Sequence, residues 1–279
     1  MCVIWGIPYL LIRVAVREVT PATLVFLRTG ISALILLPLA AQRRELRPSV
    51  ARWRGVGLFA VIEIAIPWVL LSSAERRVSS SLAALLIAAT PLVGIALAVT
   101  TGTERFDNRR LVGFGVGLVG VAAIVGLDFA HTSSVGLVEM AGVVVCYATG
   151  PWFLARYLSD LPSLGVISSS LALTAVVYAP IAAFQFPSSL PSGRVIASIA
   201  TLAVVCTALA FVLFFELIVE GGPVRGNLIT YVNPAVAAIL GVLVLDETFT
   251  VGMGVGFVLV LAGSVLAAAR TRQPVVAEP

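Results

Sequence analysis

Lysine is absent from this 279-residue chain, histidine occurs once, at His131, and charged residues of all kinds make up only 11%. Soluble domains carry about 25% charged residues, so a water-soluble fold of this length would lack the polar surface to cover itself. Hydrophobic residues reach 59% and mean hydropathy is +1.08, which makes lipid the solvent for most of the chain. The scarcity of other groups excludes further classes. The three cysteines, Cys2, Cys146 and Cys206, lie within apolar runs and read as small hydrophobes, with no loop pair to form a disulfide. With His131 in a loop, no metal-ligand set or clustered nucleophile and base remains, so neither a metal, a cofactor nor intramembrane catalysis is expected. Nucleic acid is excluded as a partner, because a net charge of +4 is spread over short loops. A phosphate-binding loop is also missing, since no Gly-Lys-Ser/Thr occurs.

What is present is a succession of long apolar runs. Breaks at Pro, Gly, Arg and acidic residues give candidate spans 1-16, 21-42, 55-74, 79-100, 110-130, 134-158, 163-185, 194-219, 223-245 and 250-270. Helices are the expected form, because open sheet edges do not survive in lipid. The fold class is therefore all-α, a polytopic membrane protein of ten transmembrane helices. No basic segment precedes the first run, so a cleaved signal peptide is not expected, and that run's shortness suggests a missing N-terminal stretch. With the N-terminus cytoplasmic, the inner loops hold Arg43, Arg44, Arg47, Arg52, Arg54, Arg105, Arg109, Arg110, Arg156, Arg225, Arg270 and Arg272, against Arg17, Arg76, Arg77 and Arg194 outside. That imbalance places both termini in the cytoplasm.

The chain also resembles itself. A shift of 143 residues lays Pro8 on Pro151, Arg13 on Arg156, Pro91 on Pro234, Glu104 on Glu247, Phe106 on Phe249, Gly113 on Gly256 and Gly120 on Gly263. Each half holds five spans, an odd number, so the second half enters the membrane from the opposite side. The expectation is two inverted five-helix repeats, 1-130 and 134-270, with a disordered cytoplasmic tail at 271-279.

These positions carry a family resemblance over nearly the whole chain. It rests on Trp5-Gly6, Pro21 with Arg28, the run Ser81-Leu82-Ala83-Ala84-Leu85 leading to Pro91, then Glu104 and Gly113. In the second half it rests on Cys206-Thr207-Ala208-Leu209-Ala210, Gly222-Pro223-Val224-Arg225, Asn233-Pro234, Glu247, Gly256 and Gly263. In their order and spacing the chain resembles the EamA-type ten-helix members of the drug/metabolite transporter superfamily. The resemblance implies cytoplasmic termini and a central pathway lined by the first, third, fourth, sixth, eighth and ninth helices. Where the family often has Gly-Glu, this chain has Thr103-Glu104 and Asp246-Glu247, so those turns are expected to differ. Glu63 and Glu216 are not hallmarks of the family.

Several residues stand out chemically. Glu63 lies mid-span, where an ionisable group costs at least about 2.5 kcal/mol, so it is expected to face the interior as a substrate or proton site, or as a neutral hydrogen-bonded group. Arg28 lies about 10 Å along its helix from Pro21 and could attract an anion, pair with Glu63, or simply pack under backbone carbonyls. Arg13 and Arg156 read as interfacial anchors. Pro91 and Pro234 each remove a backbone hydrogen bond, freeing the carbonyls of Ile87 and Thr230, and are expected to face each other near the bilayer midplane. Thr90, Asn227, Thr230, Tyr231 and Asn233 would supply polar atoms there, with Trp5, Trp68 and Tyr147 as aromatic walls. Glu104 and Glu247 are expected to satisfy amide groups of the helices they precede. The glycines Gly113, Gly117, Gly120, Gly252, Gly256 and Gly263 read as helix-packing ridges. Together these features suggest a secondary transporter for a small solute, exporting an amino acid or related metabolite, with the lipid bilayer and protons as partners. A channel or a non-transporting sensor of the same architecture is the alternative.

Overall fold

A computed structural model of the chain describes residues 1–102, 107–126 and 133–268, excepting the side chains of 219, 221–228, 230 and 231. Glu104, Asp128, His131, the tail 271-279 and the side chains of Asn227, Thr230 and Tyr231 lie outside the described residues. All described elements are helical: α1 Cys2–Ala15, α2 Pro21–Gln42, α3 Leu46–Ala51, α4 Trp53–Ala60, a π-helical segment π1 Val61–Ala65, α5 Ile66–Ala74, α6 Ser80–Ile87 and α7 Thr90–Thr100. They continue as α8 Asn108–Gly126, α9 Ser134–Tyr157, α10 Ser163–Gln185, α11 Gly193–Ala203, π2 Val204–Leu209, α12 Ala210–Leu245 and α13 Val251–Ala268. Among the described residues, eight helical stretches are long and apolar enough to cross a membrane, and Cys2–Ala15 and Val232–Leu245 are shorter apolar helices. The protein is a multi-pass membrane protein.

Local chemistry sets the helix starts. Thr20 accepts from the Thr23 amide at 3.3 Å with Pro21 in the first turn, and Ser79 accepts from the Leu82 amide at 3.1 Å. Ser192 does the same for Val195 at 3.4 Å, and Thr250 for Met253 at 3.2 Å. Pro91 ends one helix and starts the next: α6 stops at Ile87, α7 begins at Thr90, and the Thr90 hydroxyl donates to the freed Ile87 carbonyl at 2.7 Å. Asp246 closes α12 with φ +54°, the left-handed conformation that glycine adopts more freely and Asp tolerates.

Two expectations need correcting. The break proposed between spans 194-219 and 223-245 is absent from the backbone assignment, and α12 runs on through Gly221, Gly222 and Pro223 for 36 residues. A proline deletes one amide from the ladder, which bends a helix more readily than it stops one. Pro234 likewise lies inside α12, so Pro91 and Pro234 differ locally despite their matched positions. A short helix, α3, lies between the second and third spans, where the arginine-rich connection carries no span-length apolar run.

In the packing, α2 lies along α10 and α8 along α13, while α1 packs on α11 and α12, and α9 on α5 and α7. The α8–α13 seam is a run of close approaches. A Cβ on Gly113 would sit 2.6 Å from the Ala267 nitrogen and 2.8 Å from the Gly263 oxygen. On Gly120 it would meet the Val260 nitrogen at 2.6 Å and the Gly256 oxygen at 2.7 Å. Gly256 and Gly263 return these contacts, since a Cβ on either would lie 2.5 Å from the Gly120 or Gly113 oxygen, so the helices touch backbone to backbone as small residues permit.

Candidate functional site

The two π-helical segments begin at Val61 and Val204, 143 positions apart, and each occupies the middle of a long apolar helical stretch. A π-turn loosens the ordinary ladder and leaves carbonyls to be satisfied from elsewhere. Tyr178 of α10 donates its hydroxyl to the Ala65 carbonyl at 2.9 Å. On π2, Thr207 donates to the Leu202 carbonyl at 2.8 Å, and the Ser32 hydroxyl lies 2.9 Å from the Ala203 carbonyl and 2.7 Å from that of Arg28.

Arg28, on α2 and only 8% exposed, bridges π2 and α5, the helix that follows π1. Its Nε donates to Thr207 Oγ1 at 2.9 Å, and its guanidinium carbon lies 3.7 Å from the centroid of the Trp68 ring on α5. Stacking a cation on a desolvated indole contributes roughly 0.5–2 kcal/mol. The expected alternative of an Arg28–Glu63 pair is not realised: among the described residues the ion pairs are Arg52–Asp160 and Arg77–Glu139. Neither does Arg28 rest under backbone carbonyls, since Thr207 is its hydrogen-bond partner. Its two terminal nitrogens have no protein acceptor among the described residues. The electrostatic neighbours of Arg28 are Tyr147, Cys206, Tyr9 and Glu75.

Glu63, in π1, leans on α9 at Gly150, where an added methyl would overlap its carboxylate. Its Oε2 is sealed from solvent without a hydrogen-bond partner. Tyr147 and Cys146, on the preceding turn of α9, are its electrostatic neighbours, and Tyr147 packs against both apolar clusters of the bundle. Tyr147 thus neighbours both Glu63 and Arg28, which do not touch. Trp5 stands apart from this group, its ring 4.8 Å from Phe214 and 6.0 Å from Phe211 on α12. Thr90 is engaged in closing the α6 end, and Asn233 lies on α12, which α1 approaches closely at Gly6.

The two ends of the bundle differ. One end is laced: Glu18 accepts from the Ser192 amide at 2.6 Å and hydroxyl at 2.7 Å, Arg77 pairs with Glu139 at 3.0 Å, and Arg13 donates to the Glu75 carbonyl oxygen. Arg13 therefore holds a neighbouring turn as well as marking a helix end. There also Glu247 accepts from the Ser80 and Ser81 amides at 2.8 and 2.9 Å and from their hydroxyls at 3.0 and 2.7 Å. Glu247 thus serves the start of α6 and not α13, the helix it precedes, and it directly follows the left-handed Asp246. The opposite end has the exposed Arg52–Asp160 pair at 2.8 Å and a cleft of about 410 Å³ between Arg43, Glu45, Ser163, Phe215, Glu216 and Glu220. That cleft includes neither Arg28 nor Glu63.

Residues outside the sequence candidates complete the site. Thr207 lies within the Cys206–Ala210 run already singled out, which was the signal for it. Ser32 and Tyr178 gave none, because their role depends on a neighbouring π-turn. Glu75 directly follows an apolar span and reads as a loop residue beside Arg76 and Arg77, yet it is 0% exposed.

Known proteins bear on the family and the fold. The sequence pattern of the EamA-like transporter family matches residues 1–126 and 134–269. An uncharacterized transporter of Archaeoglobus fulgidus is 22% identical over 260 residues, 93% of this chain and 92% of its own. The uncharacterized inner membrane transporter YedA of Escherichia coli K12 is 25% identical over 252 residues, 89% of this chain and 81% of its own. A probable amino-acid metabolite efflux pump of Salmonella typhimurium is 24% identical over 276 residues, 94% of this chain and 90% of its own. A solved crystal structure, 21% identical, superposes over 96% of this chain and 94% of its own with a TM-score of 0.67, sharing the fold. With its pattern matched over almost its full length, the chain belongs to the EamA-like transporter family.

Proposed function

We propose that the chain is a secondary carrier that exports a small metabolite such as an amino acid by alternating access, through ten membrane-crossing helices in two inverted five-helix repeats, with the continuous helix α12 bending back about Pro223 so that it shares in both the eighth and the ninth crossing. The observation that carries this reading is Arg28, a buried cation stacked on Trp68 with its terminal nitrogens free of any described acceptor, bridging π2 and the helix that follows π1. A guanidinium fork held this way suits a planar carboxylate. Glu63, unpartnered on the far side of Tyr147, suits a group of opposite charge such as an ammonium. Trp68, Tyr147 and Trp5 are the walls in this reading. Thr90, Asn227, Thr230, Tyr231 and Asn233 supply further hydrogen bonds, and Pro91 and Pro234 lie close to the midplane.

The inverted repeat is supported by packing as well as by sequence. A shift of 143 turns the contacts of α1 with α11 and π2 into those of α9 with α4 and π1, and the Gly113–Gly263 approach into that of Gly256 with Gly120. Repeats of 1-130 and 134-270 with both termini cytoplasmic in the cell membrane fit this symmetry and the arginine imbalance. The name of the Salmonella typhimurium relative supports the substrate class.

Counterflow in proteoliposomes tests the reading. Vesicles holding the full chain and loaded with an unlabelled L-amino-acid mixture should take up labelled amino acids with saturable, trans-accelerated kinetics, and Glu63→Gln should reduce that uptake at least tenfold. Linear flux without trans-acceleration would indicate a channel, and no flux of any amino acid would overturn the substrate class.

A further inference from the structure

The laced end of the bundle contains a carboxyl group that the substrate site does not use. Glu75 follows α5, is 0% exposed, and neither of its carboxyl oxygens has a hydrogen-bond partner. Its main chain is nonetheless held, since Arg13 of α1 donates to its carbonyl oxygen and its amide bonds to the Leu71 carbonyl at 2.9 Å. The main chain is thus fixed, while the buried carboxyl has no counterion in direct contact.

Charged and titratable groups face Glu75 from the surrounding elements. Arg13 and Tyr9 approach from α1, Arg28 from α2, and Glu247 from the connection between α12 and α13. On the α9 side Glu139 is taken up by Arg77 and by Ser73 at 2.7 Å. Glu247 is the second carboxylate at this end, and it spends its oxygens on the first amides and hydroxyls of α6. Glu75 precedes that same helix by five residues, so a negative charge on it would arise beside the clasp that holds α6 to the α12–α13 connection.

We propose that the Glu75 carboxyl is a proton-binding site that couples closure of the Arg13–Glu247 end of the bundle to the pH on that side. A buried carboxylate without a contact partner is costly, whereas the neutral acid is tolerated. In the closed arrangement Glu75 holds its proton and Arg13 grips its main-chain carbonyl. Loss of the proton to water leaves a carboxylate that draws the Arg13 guanidinium off that carbonyl and repels Glu247 from the start of α6. The step is a single proton transfer between Glu75 and water and needs no co-reactant. Exposed Arg76 and Arg77, on the next two residues, put the bulk phase one turn away.

This coupling role rests on the carrier reading, but the protonation itself does not, and two measurements separate them. The first is the infrared difference spectrum of the full-length protein in lipid vesicles between acid and alkaline pH. A carboxyl with no hydrogen-bond partner gives a C=O band at the high-frequency edge of the acid region. Glu63, the other sealed carboxyl, absorbs in the same region, so the test is made in the Glu63→Gln background: there a band should remain, a further Glu75→Gln should abolish it, and Glu75→Asp should keep it with a shifted titration midpoint. No band in Glu63→Gln, or a band that survives Glu75→Gln in that background, overturns the assignment. The second is counterflow of the labelled L-amino-acid mixture with and without an imposed pH difference. In the wild type the gradient should raise the rate severalfold, and in Glu75→Gln the ratio of gradient-driven to equal-pH rates should fall to one. If no variant and no wild type transports the mixture, the carrier reading fails while the infrared result still decides Glu75. A ratio in Glu75→Gln equal to the wild type's overturns the coupling.

Discussion

The α8–α13 seam and the bulged centre of the bundle solve opposite problems with the same kind of helix. Along the seam, Gly113, Gly120, Gly256 and Gly263 bring two backbones into direct contact. At the centre, π1 and π2 interrupt the regular ladder, and the loosened carbonyls are satisfied by hydroxyls from Tyr178, Ser32 and Thr207. Backbone contact through small residues leaves little room for two helices to slide apart and return. Side-chain hydroxyls bridging a loosened turn can exchange one acceptor for another at small cost. The comparison teaches that rigidity and adaptability in this chain are assigned by residue size and by ladder defects, not by overall hydrophobicity, since both regions are apolar.

The largest way to break the comparison is to put bulk into the seam. Gly113→Leu must displace main-chain atoms of Ala267 and Gly263, so it is expected to destabilise the protein by about 1–3 kcal/mol or to prevent folding. Gly115→Ala, on the same helix with nothing within 4 Å, should be neutral or stabilise by up to about 1 kcal/mol. Thermal unfolding in detergent checks both, and equal losses would show that the seam does not depend on these approaches.

The centre is expected to respond the other way, in activity more than in stability. Arg28→Leu removes the cation over Trp68 and the fork, and should lower amino-acid counterflow more than tenfold with little change in melting temperature. Thr207→Val leaves Nε of Arg28 without its acceptor and the Leu202 carbonyl without its donor, so it should cost about 1–3 kcal/mol as well as activity. A stability loss from Arg28→Leu as large as that from Gly113→Leu would mean that Arg28 is packing material.

The smallest effect is at the surface of the laced end. Hydrogen bonds from the Ser192 hydroxyl and then its amide hold the Glu18 carboxyl below the ordinary 4.5 of a glutamate. A lowered folded-state value means that Glu18 supports the fold above that ordinary range and loses its contribution as the pH falls through the lowered value. Melting curves of the wild type and Glu18→Gln should therefore differ slightly at neutral pH and converge in acid below about 4.5. A difference that grows on acidification would refute the assignment.

Much of the architecture was legible in residue order, because lipid imposes a simple rule on composition. Apolar runs near the span length, bounded by Pro, Gly and Arg, located most helices to within a few residues, and Pro91 marked a real break between α6 and α7. Pro223, a similar signal, marked none in the helical assignment, since a missing amide weakens a helix without dictating where it ends. The candidate site was readable only by residue type. Arg28, Trp68, Glu63 and Tyr147 were conspicuous as polar or aromatic groups in apolar runs, but the choice of Trp68 and Thr207 as partners for Arg28, and of Gly150 for Glu63, was not.

By itself the sequence determined that the chain must live in lipid as helices, because so few charges cannot hydrate a fold and helices alone satisfy their own backbone there. It also determined the 143-residue correspondence between halves, which is a property of residue order. Tertiary structure decided what that order could not express. It turned Glu247 back onto α6, sealed Glu75 at an end that reads as loop, and separated Arg28 from Glu63. The physical reason is that burial and pairing of a charge depend on groups tens to hundreds of residues away, 179 for Arg28 and Thr207, whose approach is set by how whole helices pack.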